Sequence, residues 1–218
     1  MKNEIYKYLT QYKDIYDTQL YINNSLEEVS NTQNKKDLNS YFHLIKDCLD
    51  CSLGYTRTNF VFGEGNAEAD IVFVGEAPGE KEDLEGIPFV GRSGKLLDKI
   101  LSAINLKRND VYILNIIKCR PPNNRNPLNE EIEECEKYLK KQLKIINPKL
   151  IVSLGRIAAT TLLKRNSSLS NLRKKIHRYN DFDLIATYHP AALLRNPNLK
   201  KNAWEDFKNI KNKYINGN

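Results

Sequence analysis

Residues 111–122 read VYILNIIKCRPP, a run that is apolar but for Asn115 until it breaks on Lys118, Cys119, Arg120 and two prolines. An apolar run of this length, rich in Ile, Val and Tyr, is the pattern of a strand buried on both faces, as strands of parallel sheets are. Three more runs of the same kind occur: IVFVG (71–75), LIVSLG (150–155) and DLIATYH (183–189). Between them lie GKLLDKILSAINL, EEIEECEKYLKKQLKII and RIAATTLLKR, whose apolar residues recur at helical spacing. Strands alternating with helices predict an α/β fold, a three-layer α/β/α sandwich around a mostly parallel, four-stranded sheet.

In such sheets ligands gather beyond the carboxyl ends of the strands. Three of the four strand exits carry unusual polar or Gly/Pro segments, GEAPGEKED (75–83), NIIKCRPPNNR (115–125) and HPAALLRNP (189–197), and these should converge. The remaining exit reads as the ordinary start of a helix. Toward the N-terminus, Ile5, Leu9, Tyr12 and Tyr16 fall at helical spacing, and SNTQNKKDLNS (30–40) reads as a linker. Residues 1–34 are therefore expected to be a helical extension and 35–218 the main domain.

The chain has 218 residues, 40% of them hydrophobic, enough for one domain with a sizeable core. A formal charge of +7 favours a polyanionic partner such as nucleic acid, although a Lys/Asn/Ile-rich composition also follows from genome base bias. No window approaches the roughly 18 apolar residues of a membrane span, and the opening MKNEIYKYLTQYKD is charged where a signal peptide is apolar. A soluble, cytoplasmic monomer with no membrane partner is the expectation.

All four cysteines pair off: Cys48 and Cys51 in DCLDC, Cys119 at the exit of the 111–117 strand and Cys135 on the following helix. One short chelating turn plus two distant ligands is the pattern of a tetrahedral thiolate site. Four thiolates suit either zinc or an iron–sulfur cluster, and spacing alone does not separate them.

GEAPGEKED, PFVGRSG, NIIKCRPPNNRNP and HPAALLR, in that order and with this cysteine arrangement, resemble the motifs of the family 4 uracil-DNA glycosylases. The resemblance covers roughly residues 45 to 210. It implies a [4Fe–4S] cluster on Cys48, Cys51, Cys119 and Cys135, with zinc the weaker alternative. It also implies hydrolysis of the N-glycosidic bond of deoxyuridine, with uracil-containing DNA as partner. The rivals are a non-catalytic nucleic-acid-binding module built on a four-cysteine metal site and a related glycosylase of different base preference.

A base must leave the duplex before its glycosidic carbon can be attacked. The resemblance gives Phe89 the stacking face, and places the backbone of Gly75, Glu76 and Ala77 against uracil. Asn115 can accept from uracil N3–H while donating to O4, a pattern that cytosine inverts at both atoms. His189 is expected to donate toward O2 as negative charge gathers on the leaving ring. Glu76, ranked ahead of Glu82 and Asp83, is the candidate acid for the attacking water or the sugar cation. For DNA, Arg92 and Ser93 open a helix on which Ser93 is expected as N-cap beside a phosphate. Leu193 and Leu194 are expected to wedge into the gap left by the flipped nucleotide, and Arg195 to reach a phosphate. Many members of the family have Ser where this chain has Ala191. RKKIH (173–177) superficially resembles a basic histidine loop of a covalently trapping relative, but it follows the wrong helix, and phosphate binding or a solvated basic edge is expected of it.

Overall fold

A computed structural model describes the backbone of residues 22–217 and the side chains of 33–217. The helix expected around Ile5 to Tyr16 lies outside the described residues. The chain divides into two units at Gln33 and Asn34, and the architecture below is that of Asn34–Asn218.

Strands β1 (Glu64–Gly65), β2 (Ile71–Gly75), β3 (Tyr112–Asn115), β4 (Leu150–Leu154), β5 (His177–Tyr179) and β6 (Phe182–Thr187) form one sheet of order β1-β3-β2-β4-β6-β5. The four expected strands are its parallel centre, β3-β2-β4-β6. The sheet has two strands more than expected, both short and antiparallel, at its edges. Neither is an apolar run: β1 is Glu64 and Gly65, and β5 lies in a basic stretch. The signal for β5 is the turn, because Tyr179 pairs with Phe182 across Asn180 and Asp181, and Asn180 has φ 51°. A two-residue hairpin needs such a left-handed residue, and Asn supplies it.

The helices are α1 (Ile22–Ile45, which enters this unit at Asn34), α2 (Glu80–Glu85), α3 (Arg92–Ala103), α4 (Asn129–Ile146), α5 (Arg156–Leu163), α6 (Leu169–Leu172), α7 (Pro190–Arg195) and α8 (Lys200–Ile210). The run 30–40 is helical rather than a linker. It contains neither Gly nor Pro, and Leu38 already opens the stripe that continues through Tyr41, Phe42 and Ile45 onto the core.

Alternate strand residues face opposite layers, as the pleat requires. Val72, Val74, Leu114, Ile151 and Leu184 pack with Leu139 and Leu143 of α4 and Leu162 of α5. Ile71, Phe73, Ile113, Val152 and Ile185 pack with Leu97 and Leu101 of α3 and Phe207 of α8. The sandwich has three layers. From β2 the chain passes to β3 on one side and then to β4 on the other, and this reversal opens a crevice at the carboxyl ends. Among the described residues no helix is long and apolar enough to cross a membrane.

Candidate active site

The crevice is a cavity of about 550 Å³, within the range of small-molecule sites. All four central strands feed it: Glu76 and Ala77 after β2, Asn115 ending β3, Gly155 and Arg156 after β4, and His189 after β6. Three of these exits match the expectation; Gly155 and Arg156 are additions to it.

Asn115 is 2% exposed, and its Oδ1 is buried without a hydrogen-bond partner among the described residues. Leaving such an atom unpaired costs about 1–3 kcal/mol, so an unpaired amide lining a cavity marks a place for a ligand atom. Behind it Lys118, fully buried, donates from Nζ to the Asn115 carbonyl at 2.9 Å. Gly75 lies alongside, and a Cβ there would run into Asn115 Oδ1 and stand 2.6 Å from Phe89 Cζ. The glycine is what lets the amide and the ring sit side by side.

Phe89 is buried and has φ 56°, a left-handed backbone that a bulky residue adopts only when held there. Two side chains hold it. Glu82 Oε1 accepts from the amides of Val90 at 3.0 Å and Gly91 at 2.9 Å. Arg108 donates from Nη1 to the Phe89 carbonyl at 3.1 Å and from Nη2 to that of Pro88. Glu82 is thus committed to the backbone, as is Asp83, which accepts from the amides of Thr58 and Asn59. Of the two, Glu82 lines the cavity and Asp83 does not. Ser93 is not an N-cap either: Gly91 holds that position, while Ser93 lies within the first turn of α3 and lines the cavity. Arg92, on the same turn, is exposed.

His189 packs tilted against Phe89, ring centroids 5.4 Å apart. Its Nδ1 caps α7, accepting from the Ala191 amide at 3.1 Å. The backbone therefore fixes the neutral tautomer that carries its proton on Nε2. Burial pushes the ring's pKa down to about 4, the Arg195 charge adds to this, and Glu82 opposes it. At neutral pH His189 is a neutral N–H donor. Burial also raises the Glu76 carboxyl, against the pull of Arg156.

On α7 the two leucines part company. Leu193 is 2% exposed and belongs to the core, so it is not free to enter DNA; Leu194 is 39% exposed. A helix of period 3.6 turns neighbouring residues to different faces, which the quoted motif alone does not resolve. Arg195 lines the cavity mouth together with Arg125, which Glu131 grips at 2.6 and 2.9 Å.

The four cysteines line a second, separate pocket. Among the described residues no three His, Cys, Asp or Glu side chains converge as a site for a single metal ion. Four thiols lining one pocket are a donor set that fits a thiolate-held metal centre. Donors reach the sulfurs: Arg57 Nη1 to Cys119 Sγ at 3.3 Å, and the Tyr138 hydroxyl to Cys48 Sγ at 3.2 Å. Arg57 also donates to the Cys48 carbonyl at 2.6 Å and so ties the C-x-x-C turn to the exit of β3. Burial pushes the Cys119 thiol to about 11 and the Cys135 thiol to about 12, so neither is poised as a nucleophile.

The family model described as the uracil DNA glycosylase superfamily matches residues 62–208, a span that holds every residue lining the crevice. The chain belongs to this superfamily. Within it, the chain is 48% identical over 174 residues to the type-4 uracil-DNA glycosylase of Archaeoglobus fulgidus, covering 76% of this chain and 87% of that one. It is 49% identical over 173 residues to that of Sulfurisphaera tokodaii (75% and 79% covered), and 45% over 171 residues to that of Thermotoga maritima (77% and 89%). Within the matched span, Glu76, Phe89, Asn115 and His189 line one cavity. Gly155 and Arg156 escape sequence reading because nothing in LGRIAAT departs from an ordinary helix start. The left-handed φ of Gly155, 95°, is the feature that sets this exit apart, and a sequence shows only the glycine.

Proposed function

We propose that this chain removes uracil from DNA by hydrolysing the N-glycosidic bond of deoxyuridine, leaving an abasic site. The observation that carries the reading is the unpaired buried carboxamide of Asn115 on the same cavity as the neutral imidazole of His189. An extruded uracil lying on Phe89 offers N3–H and O4 to the amide, and O2 to the histidine Nε2–H. A neutral donor suits a leaving group that becomes anionic only as the bond breaks, because it stabilises the product-like charge without binding it beforehand. Glu76, its carboxyl raised by burial, is the group nearest in kind to a water-orienting base or a stabiliser of the sugar cation.

Arg125, Arg156 and Arg195 at the cavity and Ser93 at the start of α3 supply the phosphate grip, with Arg92 beside it. Leu194, exposed on α7, takes the place of the extruded nucleotide. Cys48, Cys51, Cys119 and Cys135 hold a [4Fe–4S] cluster, which when bound cross-links the C-x-x-C turn to the β3 exit and to α4. The domain that does this runs from 35 to 218, with 1–34 appended to it.

The test is incubation of the purified protein with a single-stranded oligonucleotide carrying one deoxyuridine, followed by alkaline cleavage. Free uracil and a strand cut at that position are expected. Binding without release would leave a nucleic-acid-binding module.

A further inference from the structure

His189 stands only two residues beyond the last residue of β6, Thr187, so the path of Thr187 and Tyr188 decides where its ring lies. Both are tied from the side to one ion pair. Thr187 Oγ1 donates to Asp206 Oδ2 at 2.6 Å, and both residues are buried. The Tyr188 hydroxyl accepts from Arg173 Nη1 at 3.2 Å, and the Arg173 guanidinium lies 4.4 Å from the centre of the Tyr188 ring. Arg173 and Asp206 are themselves joined twice, Nε to Oδ2 at 2.7 Å and Nη2 to Oδ1 at 2.8 Å. Arg173 Nη2 also donates to the Asn202 carbonyl on α8 at 2.7 Å.

Neither Arg173 nor Asp206 lines the candidate active site; both line a different cavity, together with Lys174, Lys175 and Lys213. A buried ion pair is weak as a source of stability, since desolvation offsets most of the attraction, and apolar residues of like volume often serve as well. What a bidentate pair supplies is direction. On the opposite side the Gly155 amide donates to the Thr187 carbonyl at 2.8 Å, and a Cβ on Gly155 would stand 3.1 Å from His189 Cβ. The strand exit is thus held from β4 on one flank and from α8 on the other.

We propose that Arg173 and Asp206 are positioning residues of the glycosylase reaction, acting through Thr187 and Tyr188 to hold the His189 imidazole at the leaving base. The first residue of the basic run 173–178 is therefore an internal brace rather than a phosphate contact or a solvated edge. This rests on the reading of His189 as the donor to the leaving base.

The test uses the full-length chain with its metal centre, in wild type, Asp206→Asn, Tyr188→Phe and Thr187→Val, each alone and combined with His189→Ala. Asp206→Asn should slow single-turnover uracil release ~10-fold, the scale of a small misplacement of a reacting group, with DNA affinity unchanged. In the His189→Ala background the same change should cost less than about twofold, because residues that act as one unit are not additive. Equal losses in both backgrounds, or no loss in either, overturn the proposal. Tyr188→Phe removes one hydroxyl and Thr187→Val another, so the cycle can be closed on them should Asp206→Asn fail to fold. Nitrogen NMR of the imidazoles, of which the chain has three, reads the same brace without any activity. The signal lost in His189→Ala should be a single Nε2–H tautomer in wild type and a broadened mixture in Asp206→Asn. An unchanged His189 signal overturns the proposal, whereas a wild type that keeps this signal yet releases no uracil overturns the proposed function alone.

Discussion

His189 Nδ1 accepts the amide hydrogen of Ala191 at 3.1 Å, and that bond fixes which ring nitrogen carries the proton. Protonating Nδ1 would break the cap, and burial, with Arg195 nearby and Glu82 opposing, holds the pKa down to about 4. Glu76 and Arg156 line the same cavity and contribute their own charges. The single-turnover rate should therefore show no His189-dependent inflection near 6.5, and an inflection there that vanishes in His189→Ala would contradict the lowered pKa. His189→Ala itself should slow release by roughly 10²-fold, the scale of losing one such donor. Stability follows the same linkage. The unfolded histidine takes up its proton near pH 6.5 and the folded one only near 4, so over that window the unfolded state binds more protons. The contribution of this group is complete above 6.5 and is lost as pH falls toward 4. Urea unfolding at several pH values should show a shallower slope in His189→Gln than in wild type.

Arg108 is expected to matter without touching substrate. It holds the carbonyls of Pro88 and Phe89, and so the left-handed turn that presents the ring. Arg108→Ala should lower uracil release by ~10-fold through misplacement of the Phe89 face, with the fold intact by circular dichroism. An unchanged rate would mean that Glu82 alone keeps the turn.

The two leucines of α7 separate stability from DNA handling. Leu193→Ala should cost about 2–4 kcal/mol of stability, as core truncations do, and little of the intrinsic rate in what remains folded. Leu194→Ala should leave thermal stability unchanged and slow excision from duplex more than from single strands, because only the duplex leaves a gap to fill. Equal rates on both substrates would remove Leu194 from the DNA path.

Cys135 joins α4 to the thiol pocket, so Cys135→Ser should weaken the visible charge-transfer absorption of the anaerobically purified protein and lower its melting temperature. Wild type should carry about four irons per chain. Colourless protein with stoichiometric zinc would overturn the cluster assignment.

How far a residue's role can be read in advance follows how local its cause is. The parallel strands are legible because burial on both faces leaves a continuous apolar run, and Asn115 and His189 are legible because a polar residue at the end of such a run is costly without a purpose. The edge strands are not, since β1 has two residues and β5 pairs with β6 through a turn rather than through hydrophobicity. Arg108, Glu82 and the Arg173–Asp206 pair act on segments far along the chain, and nothing beside them in sequence names their partners. The linker expected at 30–40 fails for a local reason: a polar stretch without Gly or Pro can carry a helix forward once Leu38 finds a core.

Asn115→Asp tests the reading of the base itself. The side chain keeps its size, and Lys118 still has the backbone carbonyl of 115 to bond, so the fold should survive. An ionised carboxylate is acceptor-only: it keeps a partner for uracil N3–H but faces O4 with a second acceptor, and uracil release should collapse. At a site 2% exposed the carboxyl's pKa should rise, because burial disfavours its charged form. The protonated carboxyl has one donor and one acceptor, like the amide it replaces. Uracil release should then return in part as pH falls, and weak release of cytosine should appear with it, since the protonated group can also donate to cytosine N3 while accepting from its N4 amine. Single-turnover cleavage of matched oligonucleotides carrying U or C, across a range of pH and after folding and iron content have been checked, gives the answer. Fully uracil-selective activity independent of pH would show that Asn115 does not read the base, and would move specificity to the backbone from Gly75 to Ala77.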